Sequence, residues 1–116
     1  MARTPTNQYK KNPVIIEVFS ADIDLAEEIT GNTRGPIIIK LITFVSAAAG
    51  DDFVLTEPPA GEDGVVAIHL AQNISGGMTI LDFGSNGQSF NKGLYFDADQ
   101  INAGLGANDR VCIYLK

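Results

Sequence analysis

The chain contains no tryptophan and a single cysteine, Cys112, in 116 residues. A lone thiol excludes an intrachain disulfide, and with it the stapled secreted scaffolds that small domains use when their cores are thin. It also excludes a thiolate metal cluster built within one chain. Histidine is equally scarce, with His69 alone. Aromatic residues make up 8% of the chain, which is little for the exposed ring platforms that stack on sugars. Charged residues, at 19%, are too few for a disordered polyelectrolyte. The longest apolar stretch, "PIIIKLITFVSAAAG", carries Lys40 and is too short to span a bilayer, so no membrane partner is expected. The opening "MARTPTNQYKKNP" holds no apolar segment of the kind that directs secretion. The expectation is a protein made in a cytoplasm that stays soluble or joins an assembly built there.

What is present describes one globular domain. Hydrophobic residues reach 45%, enough for a real core, and 12 glycines with 5 prolines imply many turns. The net charge of −6 is unevenly spread. Residues 1–12 carry Arg3, Lys10 and Lys11 and no acid, for +3, while residues 13–116 carry all 14 acids and stand at −9. An acidic body repels phosphates, so no nucleic-acid partner is expected. Residues 1–12 read as an extended basic arm, with residues 13–116 as the single folded domain. The arm suits draping over an acidic neighbour; the plainer reading is a solvated terminus.

Short β-branched runs separated by turn signals fill the rest. Strands are predicted over "VIIEVFS" (14–20), "DDFVLTE" (51–57), "VVAIHLA" (65–71), "MTILDF" (78–83), "LYFD" (94–97) and "RVCIYL" (110–115). The run after Gly35-Pro36 is apolar on two faces. Ile37, Ile39, Leu41 and Val45 share one, and Ile38, Ile42 and Phe44 share the other with Lys40. Such a strand belongs at the centre of a sheet, buried on both sides. "DIDLAEEIT" (22–30) mixes alternation with one possible helical turn, and its shortness favours an irregular strand. "GSNGQSFNKG" (84–93) reads as a loop. Seven or eight short strands with almost no helix predict an all-β, two-sheet antiparallel sandwich.

From Gly35 onward the order of features is "GP", a long apolar strand ending in "AAAGDD", then "GVVAIHL", "GGMTILDFG", "FNKGLYFD" and the closing "RVCIYLK". This resembles small virion structural proteins of tailed bacteriophages, over about 80 residues. The resemblance implies a jelly-roll-like sandwich that decorates or cements a capsid, or sits on the tail. It further implies a trimer, with the major capsid protein or other virion proteins as partners, and location in the virion. The first 34 residues depart from that pattern.

The chemistry-bearing residues give no catalytic set. His69 falls on the outward face of its strand with no nucleophile or orienting acid at a local spacing. Asp97, Asp99 and Asn102 offer oxygen donors for Ca²⁺ but lack the glycine and terminal glutamate of a calcium loop. Asp51-Asp52 and Glu62-Asp63 read as acidic turns that bond their own backbone or face solvent. "GSNGQSFNKG" lacks phosphate-loop spacing, and the sequon at Asn73 has no secretory context. Cys112 reads as packed inside or at a contact. No cofactor and no metal ligands are expected. The residues assigned to contact with neighbours are Arg3, Tyr9, Lys10 and Lys11 in the arm, with Tyr95 and Tyr114 on strands taken to be adjacent. Two rival readings are a carbohydrate-binding module of a tail or fibre and a small β-fold enzyme.

Overall fold

The computed structural model describes residues 6–18, 22–32, 36–46, 49, 51–57, 66–72, 76–91, 93–96 and 109–116. Nine strands and one short helix follow one another among the described residues. They are β1 (Val14–Ile16), β2 (Ile23–Asp24), α1 (Leu25–Thr30), β3 (Ile37–Val45), β4 (Asp52–Thr56), β5 (Val66–Ala71), β6 (Met78–Asp82), β7 (Gln88–Phe90), β8 (Tyr95–Phe96) and β9 (Arg110–Leu115). Two antiparallel sheets form a sandwich. The first has the order β1-β9-β3-β6, with β7 also paired to β3; the second has the order β2-β8-β4-β5. The first four strands therefore alternate between layers, and the last strand lies between β1 and β3.

Alternation supplies the core. Val14, Ile16, Ile42, Phe44, Val111 and Ile113 point inward from the first sheet and Phe53, Leu55, Ile68, Leu70 and Phe96 from the second. Phe53 stacks on Phe96 at 5.0 Å between ring centroids and meets Phe44 of the opposite layer at 6.2 Å. Such ring pairs add to the area they bury.

The sandwich agrees with the sequence reading, and several local expectations do not. The central position of β3 holds, but its faces are reassigned. The ladder to β9 shifts register between Ile39 and Leu41, so Lys40 is an extra residue and the parity changes there. Ile37, Ile39, Ile42 and Phe44 face inward, while Leu41 and Val45 face outward and are only half-buried. The strand is thus buried on one face, not two.

Residues 22–30 are not an irregular strand. After the two residues of β2, Asp24 caps a helix by accepting the Glu27 amide at 3.1 Å. Gly31 ends it in the left-handed region at φ 84°, donating to the Glu27 carbonyl. The caps, and the burial of Leu25 and Ala26, stabilise a helix too short to persist alone. The stretch 84–93 is not all loop either, since Gln88–Phe90 pairs with Ile37–Ile39 as β7. Gly87 permits this. Its φ is +74°, and a Cβ there would lie 2.9 Å from the Ile39 carbonyl oxygen.

Residues 6–12 double back on their own domain. Gln8 exchanges two backbone hydrogen bonds with Ile15, at 2.8 and 3.0 Å. The Asn7 carboxamide oxygen accepts the amides of Glu17 and Val18, both at 2.9 Å. Asn12 imitates a strand partner: its side chain donates to the Leu115 carbonyl and accepts the Leu115 amide, each at 2.9 Å.

Candidate functional site

The outer face of the first sheet is the most distinctive surface. Register places its side chains in three rows across β9, β3 and β6. These are Arg110–Val45–Met78, then Cys112–Thr43–Ile80, then Tyr114–Leu41–Asp82. Ile15 extends the middle row onto β1. Met78 and Ile80 are 57% and 59% exposed, and Tyr114 is 38% exposed. A lone exposed apolar residue is ordinary; a contiguous sheet face of them marks a contact surface.

This face is also electrically balanced. Arg110 and Asp82 stand at diagonally opposite corners. Arg110 donates through Nε and Nη2 to Glu17 at 3.0 and 2.9 Å, and the Glu17 side chain is only 2% exposed. At the other corner the Asp82 carboxylate accepts the Gly84 amide at 2.7 Å. There the third row opens into a groove of about 520 Å³, lined by Lys40, Leu41, Asp82, Ser85 and Tyr114 together with Asn12 and Pro13.

The residues singled out in the sequence do not converge. Arg3 lies outside the described residues, as do Glu62, Asp63, Asn73, Asp97, Asp99 and Asn102. Tyr9 is half-buried against the core, and its hydroxyl accepts from the Asn7 side chain at 2.9 Å. Burial raises the Tyr9 pKa above its ordinary value; the Asn7 hydrogen bond lowers it and the Glu28 charge raises it. Lys10 is exposed and reaches the Ile29 carbonyl at 3.4 Å, and Lys11 is exposed. Tyr95 and Tyr114 are not on adjacent strands. Tyr95 sits on β8 in the second sheet and donates to Asp22 at 3.2 Å, whereas Tyr114 sits on β9 in the first.

His69 does have an acidic partner. Its Nε2 lies 3.0 Å from the Asp52 carboxylate across the β4–β5 ladder. The two positions are diagonal in the register, since Val54 opposes His69. That relation is invisible along the chain, where they stand 17 residues apart. Asp51 is buried and accepts a hydrogen bond from the Ser46 hydroxyl, a structural role at the sheet corner. Cys112 is half-buried in the middle row of the outer face. Among the described residues no three His, Cys, Asp or Glu side chains group as metal ligands. None of their helices is long and apolar enough to cross a membrane.

The signal for the outer face was present in the sequence as alternation in "MTILDF" and "RVCIYL". What hid it was the bulge at Lys40, which moves Leu41 and Val45 onto the same side. Comparison with known proteins finds no family model, no curated relative and no solved structure that matches this chain.

Proposed function

We propose that this chain is a non-enzymatic structural module that works by adhering to other protein surfaces, as a virion structural protein of the capsid decoration or cement kind. The observation that carries the reading is the exposed apolar face of the first sheet, centred on Thr43 and Ile80. A face of that composition is stabilised when another protein removes it from water, at about 25 cal/mol for each Å² of apolar area. The strand order supports the same reading. We read β1-β9-β3-β6 over β2-β8-β4-β5, with β7 as an added edge piece, as a jelly roll. That architecture serves in viral capsids, and also in lectins, so it informs the reading by analogy only. The resemblance of residues 35–116 to phage virion proteins adds the location.

Particles banded from a culture that produces the chain test the proposal. Quantitative mass spectrometry is expected to find the chain in the particle band at a fixed ratio to the shell protein. Recovery only from the soluble fraction overturns it.

A second reading rests on the groove beside Tyr114. A tyrosine ring with Lys40, Asp82 and Ser85 around it offers a stacking surface and polar groups to a sugar. A glycan array decides between them: a sugar bound by the native chain and lost in Tyr114→Ala supports the carbohydrate-binding alternative.

A further inference from the structure

Resting on the adhesion reading, we propose that the first partner of the outer face is a second copy of this chain, docked face to face about a two-fold axis that passes through Thr43. Charge selects the partner and its orientation. Each chain carries a net charge of −6, so most approaches of two copies are repulsive. The outer face is the exception. Its three rows hold one arginine and one aspartate, with Glu17 beside the first and Lys40 beside the second, so the face is neutral.

Of the two-folds that lie in the plane of such a contact and pass through Thr43, four bring corner onto corner. One along the strands sets Arg110 over Met78, and one across them sets Asp82 over Met78. One diagonal sets Arg110 on its own copy. The remaining diagonal exchanges the two corners and sets Arg110 of each copy opposite Asp82 of the other. Glu17 engages Nε and Nη2 of Arg110, which leaves Nη1 for a carboxylate of the second copy. The same operation lays Ile80 over Val45 of the second copy and Met78 against its counterpart. The strands then cross steeply, as in orthogonal sheet packing. A two-fold makes this patch complementary to itself. The three-fold that the phage resemblance implies would need a second, different patch.

Sedimentation equilibrium of the full chain from about 1 to 200 µM, with disulfides reduced, is the first measurement, on the scale where such contacts associate. A monomer–dimer equilibrium is expected. Ile80→Glu, at a site already exposed, is expected to weaken it at least tenfold without changing the far-UV spectrum or the melt of the chain diluted to its monomer. Orientation is read by cross-linking in a Cys112→Ser background. Packed sheets stand about 10 Å apart, the reach of a short bismaleimide. Met78→Cys, on the axis, is expected to give a covalent dimer. Val66→Cys, 53% exposed on the other sheet, is not. A monomer at every concentration, a trimer, or cross-linking at Val66 in place of Met78 overturns the pairing. A chain found in particles yet monomeric in solution refutes the pairing and leaves the adhesion reading standing. A chain that dimerises but is absent from particles does the reverse.

Discussion

Glu17 carries a carboxylate that is almost wholly buried, and donors from both ends of the chain reach it. The Arg110 guanidinium lies at 2.9–3.0 Å and the Thr6 amide at 3.3 Å. A buried charge is tolerable only while such partners remain. Arg110→Ala is therefore expected to destabilise the fold by about 1.5–3 kcal/mol, the range for losing hydrogen bonds to a charged group. Urea melts check this. Adding Glu17→Gln is expected to recover part of the loss, because the stranded charge is then gone. Tyr9 gives a second test at the same scale. Burial lifts its pKa above the ordinary 10.0, against the Asn7 hydrogen bond and with the Glu28 charge. The unfolded chain thus releases this proton at lower pH than the folded chain. Stability from Tyr9 is complete below pH 10 and is lost as pH rises through the folded value. Melts between pH 9 and 11 are expected to fall less steeply in Tyr9→Phe than in the native chain. The Glu17–Arg110 partnership was not legible in the sequence, since 93 residues separate the two and only the fold brings them together.

At the scale of elements, β-branched runs and alternation located seven strand segments, and the alternation of Ile23 with Asp22 and Asp24 covered β2 as well. Two elements escaped that reading. β7 is three residues set among glycines and polar side chains, and it forms because β3 offers an edge and Gly87 permits the turn. The helix α1 escaped because its six residues are too few for a periodic signal; its evidence is the Asp24 and Gly31 pair at its ends. Asp24→Ala tests that account. It removes the acceptor of the Glu27 amide, and the expected loss is about 0.5–2 kcal/mol in a chemical melt. Asp24→Asn, which keeps a capping oxygen, is expected to lose much less. The bulge at Lys40 limited the candidate site in the same way. One inserted residue reversed the sidedness of the strand's second half, and with it the face on which Leu41 and Val45 appear. The outer face existed in the sequence only as fragments until that register was fixed.

For the whole molecule, the two ends of the chain close the first sheet together. β9, the last strand, lies between β1 and β3, and residues 6–12 fasten the outer edge of β1 and the end of β9. The sequence reading made residues 1–12 an extended basic arm outside the folded domain. The structure gives residues 6–12 work inside the domain. Their removal takes away the two Gln8–Ile15 bonds, the two that Asn7 accepts and the two between Asn12 and Leu115. It also takes the Tyr9 ring from the core margin. At about 0.5–1.5 kcal/mol net for each hydrogen bond, several kcal/mol are at stake. That is a large part of the stability of a domain this size, which is about 5–15 kcal/mol. Deletion of residues 1–12 is thus expected to lower the melting temperature by more than about 10 °C. Asn12→Ala alone is expected to produce a smaller drop in the same direction. An unchanged melt would mean that the segment is an appendage, and its basic side chains would then regain the draping role that charge alone suggests. A large drop means that weakened attachment of a truncated chain reports a loosened sandwich, and only point substitutions at Lys10 and Lys11, both exposed, can then separate adhesion from folding.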